Sequence, residues 1–379
     1  MISQQTPAFS SSPETVYEGA ISSEGKFEGH GSIVYQNGEK YTGDFRQGQR
    51  HGRGTYTFQD GSVFSGEWQS DKIHGFGTSH YPDGNLFEGS FDNGKIQGRG
   101  RLKTKSFEYN GEFVDGRKQG QGTIEYYDSD RRDRYKGEWY DDKWHGIGEW
   151  ILRGSANKQH VRERYYGKFE NGKMHGHGEY RYASGSTYEG EWIENKMHGS
   201  GTFTFPNGNK YVGQFENDTK HGTGTLMYRD GECYEGEWRF DKAEGTGTLT
   251  YADGSVYSGE FREGVKAGRG SLQYTNGDYF EGEWENDAAH GSGTLNYANG
   301  DVYVGEWACN LRHGVGQFTC YRDSKVYRGG FENGFRHGKG QLFINSEGDY
   351  IIGAWEKGVL TGPVHFVFAQ DSFWLNPKA

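Results

Sequence analysis

The sequence predicts an all-β protein, an elongated single-layer antiparallel β-hairpin solenoid drawn out as a strongly twisted ribbon. Three observations predict it. A short phrase, aromatic, any residue, Gly, any residue, Trp or Phe, returns at a nearly fixed interval along the 379 residues. Within each interval apolar and polar residues alternate with period two. Between the alternating segments stand Asp-Gly and Asn-Gly pairs, the residues of tight hairpin turns.

The interval is plainest in the middle of the chain. Tyr188, Tyr211, Tyr234, Tyr257, Phe280 and Tyr303 stand 23 residues apart, each followed by Gly two places on and by Trp or Phe four places on. The pairs are Gly190 and Trp192, Gly213 and Phe215, Gly236 and Trp238, Gly259 and Phe261, Gly282 and Trp284, Gly305 and Trp307. The series runs back through Tyr165, Tyr135, Tyr109, Phe87, Phe64 and Tyr41 to a weaker Tyr17. It runs forward through Tyr327 to a degenerate Ile351, Gly353 and Trp355, giving fifteen units over residues 17–362. One unit is too small to bury a face alone, so copies must stack on their neighbours. Composition agrees: 64 glycines and 16% aromatics against 32% hydrophobic residues leave material for a thin core only.

Within one unit, residues 245–261, the elements follow in order. Gly245, Gly247, Leu249 and Tyr251 share a parity with Tyr257, Gly259 and Phe261, while Thr246, Thr248, Thr250, Ser258 and Glu260 take the other. Two strands with one apolar face follow. Register decides the turn between them. A two-residue loop at Asp253-Gly254 puts Tyr257 on the polar face, whereas a three-residue loop, Ala252-Asp253-Gly254, pairs Leu249 with Tyr257 and Tyr251 with Ser255. The longer loop is therefore expected, as a type I turn closed by a left-handed Gly bulge. Pro82-Asp83-Gly84 and Pro206-Asn207-Gly208 put Pro where that turn accepts it. The second connection, as at Asn171-Gly172 and Asn333-Gly334, is a turn whose register the sequence leaves open.

Hairpins pairing side by side at about 4.8 Å per strand would make a rod on the order of 140 Å before twist shortens it. A single layer leaves its apolar face wet unless the rings lie flat on neighbouring backbone. The glycines allow that approach, so the Tyr, Gly and Trp or Phe positions named above are the expected repeat core.

The ends differ from the units. Residues 1–16, rich in Ser, Thr, Gln and Pro, read as a disordered leader, and residues 363–379, with Val364, Phe366, Phe368, Phe373 and Trp374, as a capping strand and tail. An open ribbon has two unpaired edges, which makes a homodimer through terminal strands a further expectation. Cys233, Cys309 and Cys320 show no paired or metal-like spacing, and the odd count fits a reducing compartment. Cys309 and Cys320 share parity with Trp307 and Phe318 and are expected in the core. No secretory leader and no long apolar window is present, so a soluble cytoplasmic protein is expected.

The segments Tyr188-Glu189-Gly190-Glu191-Trp192 and Asn171-Gly172-Lys173-Met174-His175-Gly176 resemble the MORN repeat, and the resemblance covers residues 17 to about 362. It implies a β-hairpin solenoid acting as a scaffold or adaptor, often in cilia, flagella, basal bodies and the cell cortex. Chains built almost wholly of the repeat are similar to cytoskeletal scaffold and radial-spoke-type proteins. Family members that are enzymes carry an appended SET, kinase or exchange-factor domain, for which this chain has no room, so no enzyme and no cofactor are expected. The His of the repeat stands at nine positions, among them His175, His198 and His221, but Gln97, Gln119, Glu244, Ala267 and Thr361 replace it elsewhere. That variety points to a structural role.

Other motifs have weaker claims. Zn–N bonds of about 2.1 Å need ligand atoms within roughly 4 Å of each other, yet equivalent His in adjacent hairpins stand about 9–10 Å apart, so no metal is expected within one rod. Gly167 to Lys173 and Gly89 to Lys95 match the start of a phosphate-binding loop, but Met174 and Ile96 stand where Ser or Thr should hold Mg²⁺, and no helix follows.

The residue after the repeat Gly is acidic at Asp44, Glu67, Glu112, Glu138, Glu191, Glu237, Glu260, Glu283 and Glu306, all on the polar face, within a net charge of −11. This strip reads either as a solvated face that keeps an open sheet soluble or as a docking surface for a basic partner. It repels phosphate, so nucleic acid is not an expected partner. Residues 153–164 interrupt the period, and Arg153, Lys158, Arg162 and Arg164 against Glu163 leave them basic. They read as a partner contact or as a tolerated expansion.

The function expected is a non-enzymatic rod-like scaffold or adaptor organising a cytoskeletal assembly, in a cilium or flagellum axoneme, a basal body or the cell cortex. The alternative is a phosphoinositide-binding peripheral membrane adaptor using residues 153–164, with weak contact to anionic lipid.

Overall fold

A computed structural model describes residues 15–127, 133–153, 161–346, 348–370, 372, 374 and 375, without the side chains of residues 161 and 162. The expected leader falls almost wholly outside the described residues, as do Phe373 and residues 154–160 of the period-breaking insert. Described residues form thirty strands and no helix, and no helix among them is long and apolar enough to cross a membrane.

The chain divides into two units, Met1–Asn195 and Lys196–Ala379. The first holds β1 (Val16–Ile21) to β15 (Thr187–Ile193), the second β16 (Lys196–Thr204) to β30 (Val359–Val367). In each unit every strand pairs antiparallel with its neighbours in sequence, so each is an unclosed sheet of consecutive hairpins, the all-β hairpin solenoid the sequence predicts.

The second unit shows how one repeat is built, with β19 (Cys233–Arg239), β20 (Lys242–Thr250) and β21 (Val256–Arg262). Leu249 faces Tyr257, as parity requires. Gly254 N–H donates to Tyr251 O at 2.9 Å and Tyr251 N–H to Ser255 O at 2.8 Å, closing the three-residue turn with Gly254 at φ +90°. The second connection, open in the sequence, is a two-residue turn. Phe240 and Asp241 have φ +48° and +66°, and Arg239 faces Lys242 across them. Positive φ at both central residues is the type I′ signature, whose twist matches that of the strands.

Just inside that turn lies a bulge. Gly236 faces Gly247 but Glu237 faces Glu244, so Gly245 and Thr246 are extra residues on β20. Gly245 has φ +65°, and a Cβ there would lie 2.7 Å from the Glu237 carboxylate. Only Gly suits that place.

The rings settle on the paired glycines. A Cβ on Gly236 would lie 2.6 Å from the Tyr234 hydroxyl and 2.6 Å from Gly247 Cα. The buried phenol reaches through this gap to the bulge: Tyr234 OH donates to Glu237 O, Tyr211 OH to Gln214 O and Tyr257 OH to Glu260 O, each at 3.0 Å. Each Tyr also meets two Trp or Phe rings edge-on, its own repeat's and the next one's, as Tyr257 does with Phe261 at 5.2 Å and Trp284 at 5.1 Å.

Repeats are stitched at the second turn. Asp241 N–H donates to Lys220 O at 3.1 Å and its Oδ1 accepts from Lys220 N–H at 2.9 Å, across one repeat. Two details correct the sequence reading. Cys309 is exposed, because β25 (Val302–Ala308) ends before it and Cys309 opens the type I′ turn at φ +50°. Cys320 is half-buried just past the strand Leu311–Thr319. The expected boundary at residue 362 falls inside β30, whose second half carries the apolar alternation assigned to a cap.

Candidate interaction surfaces

The polar face carries the acidic strip. Glu237, Glu260, Glu283 and Glu306 sit on it in the second unit and Glu191 in the first, and all are exposed. Two of them have an internal task as well. Glu237 Oε1 accepts from Thr246 N–H at 2.9 Å and Glu260 Oε1 from Arg269 N–H at 3.0 Å, the extra N–H that each bulge strands. The Thr246 N–H, with the Thr246 hydroxyl beside it, holds the Glu237 carboxyl below its ordinary range. Neutral Gln214 fills the same position and accepts from Thr223 N–H at 3.0 Å, so the task needs an oxygen and no charge. In the second unit the strip rims an open groove of about 860 Å³ lined by Ser258, Arg269, Glu281, Glu283, Val304 and Glu306.

Of the insert, Arg164 is half-buried and its Nε donates to Glu149 Oε1 at 2.7 Å, an ion pair inside the sheet. Arg153 is half-buried at the end of its strand, where it faces Val161. Lys158 and the Arg162 side chain lie outside the described residues.

The repeat core lies on the other face. Tyr188, Tyr211 and Tyr234 are buried with Trp192, Phe215 and Trp238, and Trp284 and Trp307 are buried likewise. Gly190, Gly213, Gly236, Gly282 and Gly305 face partner glycines across the ladder.

Sequence reasoning missed what covers this face. The residue before the repeat His or its replacement faces the Trp or Phe, and in several repeats it is a cation. Lys220 Nζ lies 4.3 Å from the Trp238 ring centre, Lys266 Nζ 4.5 Å from Trp284 and Arg50 Cζ 4.5 Å from Trp68. Desolvation lowers the Lys220 and Lys266 ammonium pKa values. In four successive repeats of the second unit size compensates size: Lys220 and Lys266 face Phe215 and Phe261, while Ala243 and Ala289 face Trp238 and Trp284; the pattern ends where Arg312 faces Trp307. The readable signal was that volume alternation.

The His position lies at the second-turn edge. His175 and His221 Nε2 each lie 3.4 Å from Glu170 and Glu216. Where His is replaced, Gln97 and Glu244 accept the N–H of Asp115 and Glu263, turn residues one repeat on. Among the described residues no group of three or more His, Cys, Asp or Glu is placed to hold a metal ion.

Hairpins that bury rings on one face and hold a polar face open define a tandem β-repeat protein that offers surface along its strands. The chain belongs to the MORN repeat family. The repeat matches residues 17–40, 41–63, 64–86, 87–106, 109–131, 135–152, 165–187, 188–210, 211–233, 234–256, 257–279, 280–302, 303–324 and 327–345. The expected fifteenth copy lies outside these matches, yet β29 (Tyr350–Glu356) and β30 form a further hairpin. No curated protein matches the chain.

Among solved structures, the TCP domain of Drosophila melanogaster SAS-4 in complex with a proline-rich motif of Ana2 is similar at 16% identity and a TM-score of 0.28, over 42% of this chain and 85% of that one. The TCP10c domain of Drosophila melanogaster Sas-4 follows at 14% identity and 0.23, over 44% and 92%. A streptogramin B lyase is similar at 12% and 0.12, over 93% and 98%. Scores this low carry no argument.

Proposed function

We propose that the protein is a non-enzymatic scaffold that organises a cytoskeletal assembly, in a cilium, flagellum, basal body or cell cortex, by presenting its polar face to basic protein partners. MORN repeats are compatible with a scaffold or adaptor role. The observation that carries the reading is the exposed row of Glu237, Glu260, Glu283 and Glu306 on the polar face of the second unit, with Glu191 exposed on the polar face of the first. Among the described residues β30 of the second unit pairs with β29 alone, and Val359 and Phe366 are more than half exposed, which supports self-association through that edge.

The test is localisation of a tagged copy followed by detergent extraction. The scaffold reading expects a discrete structure that survives extraction, with partners lost when Glu283 and Glu306 are both changed to Lys. A diffuse, fully extractable signal overturns it. Membrane binding through residues 153–164 is the second reading, favoured by their basic count. Co-sedimentation with phosphoinositide vesicles, lost when Arg153, Lys158 and Arg162 are neutralised, would favour it over the first.

A further inference from the structure

One place on the aromatic face is unfilled, and the neighbouring repeat shows what fills it elsewhere. On the strand Gln49–Thr57, Arg50 lies with Cζ 4.5 Å from the Trp68 ring centre and 5.0 Å from that of Tyr56, while its Nε donates to Asp71 Oδ1 at 3.1 Å. One repeat on, 23 residues later, every part is smaller: Ile73 for Arg50, Phe91 for Trp68, Ser79 for Tyr56 and Gly94 for Asp71. The registers match, since Phe64 faces Ser79 as Tyr41 faces Tyr56, and Trp68 faces Ile73 as Phe45 faces Arg50.

An open hollow of about 410 Å³ results, walled by Phe58, Ile73, Phe91 and Ile96. In every other repeat the Ser79 position is apolar or aromatic, as at Leu102, Ile124, Leu226 and Leu249. Ser79 is 9% exposed, and among the described residues no hydrogen bond uses its hydroxyl. Asp60, Asp115 and Lys95 also line the hollow, two carboxylates against one ammonium, and Lys95 is bound to Asp115 at 2.9 Å.

We propose that this hollow is a docking slot for an arginine side chain supplied by a partner protein. An apolar wall asks for an aliphatic stem. The Phe91 and Phe58 rings, the spare hydroxyl and the negative rim ask for a planar cation that stacks and donates, which the guanidinium is and the compact, strongly hydrated lysine ammonium is not. The partner's arginine would supply from outside what Arg50 supplies from within. The proposal takes from the scaffold reading only that the partner is a protein, and its test needs no assembly.

The experiment is saturation-transfer NMR on the purified full chain, with butylguanidinium as probe and butylurea as its neutral isostere. Saturation of the butyl protons is expected for butylguanidinium and should be about fivefold weaker for butylurea. Affinity should fall about tenfold in Ser79→Tyr, whose ring refills the space as Tyr56 does, and in Ile73→Arg, which supplies its own guanidinium. Binding that is absent at millimolar probe, unchanged in both variants, or equal for butylurea overturns the slot. Thermal melts establish that the variants fold, and if Ser79→Tyr does not, Ile73→Arg decides. The outcome is independent of where in the cell the protein resides.

Discussion

Tyr257 shows how much one side chain does here. Its ring lies on Gly259 and Gly270, its edges meet Phe261 and Trp284, and its hydroxyl donates to the bulge carbonyl of Glu260. Deleting the oxygen leaves the ring and removes one bond, so Tyr257→Phe should lower stability by only about 1 kcal/mol in urea unfolding. Phe64, Phe87 and Phe280 occupy the equivalent place naturally. Filling the gap beneath a ring is harsher. Gly236→Val drives side-chain atoms into Gly247 Cα, the Tyr234 hydroxyl and Thr246 O, all within 2.7 Å of the Cβ, and should cost about 3 kcal/mol or more by the same measurement. Glu237 separates structure from docking. Glu237→Gln keeps an acceptor for Thr246 N–H, as Gln214 does for Thr223, and should cost about 0.5 kcal/mol or less, whereas Glu237→Ala strands that N–H and should cost about 1–2 kcal/mol. A partner held by charge would be weakened by both.

At the scale of the hairpin, the type I′ turn sets the demands. Asp241 is held at φ +66° and bonded both ways to Lys220, while Gly264 one repeat on keeps only the N–H bond, to Ala243 O. Asp241→Gly trades a lost acceptor for relief of the left-handed backbone and should cost under about 1 kcal/mol. Asp241→Ala loses the acceptor and keeps the strain, for about 2 kcal/mol, read from the shift in urea midpoint. These elements were unequally legible in the sequence. The first turn could be read because only one loop length keeps Leu249 and Tyr257 on one face. The second could not, because Phe240-Asp241, Cys309-Asn310 and Glu263-Gly264 share a backbone shape but no residue type. The bulge was hidden because Gly-x-Gly reads as plain alternation, although Gly245 and Thr246 break the ladder. Parity carried past a strand end misplaced Cys309, and alternation alone did not single out Lys220 and Lys266, which cover the rings. The exposed acidic row was legible as a surface. Its second use, satisfying a bulge N–H, depends on geometry that alternation does not encode.

At the scale of the whole chain, stability is a sum over repeats that touch only their neighbours, so chemistry repeated in each copy adds up. Glu108, which Arg101 holds at about 2 against an ordinary 4.5, contributes stability present above the ordinary value and lost as pH falls toward 2. The phenols dominate the other limb. Burial raises the pKa of Tyr41, Tyr109, Tyr135, Tyr165, Tyr211 and Tyr257 well above the ordinary 10.0, and pushes Tyr234 and Tyr303 up to about 12. In each case the neutral form is the one the fold holds, against glycine backbone and donating to a carbonyl. Below pH 10 folded and unfolded chains bind the same phenolic protons, so the stabilisation is fully present. Between 10 and the folded values only the unfolded chain ionises, and each buried phenol removes about 1.4 kcal/mol per pH unit. With this many copies the loss is steep. Unfolding free energy should therefore stay level from neutrality to about pH 9.5 and collapse within roughly one further unit. Tyrosine absorbance at 295 nm should show an exposed class titrating near 10 and a buried class appearing together with loss of the β circular dichroism signal. Tyr234→Phe and Tyr303→Phe together should move that collapse to higher pH while lowering stability at pH 7. A smooth titration of all the phenols near 10 with the fold intact would show that the rings are not sealed onto the glycine ladder.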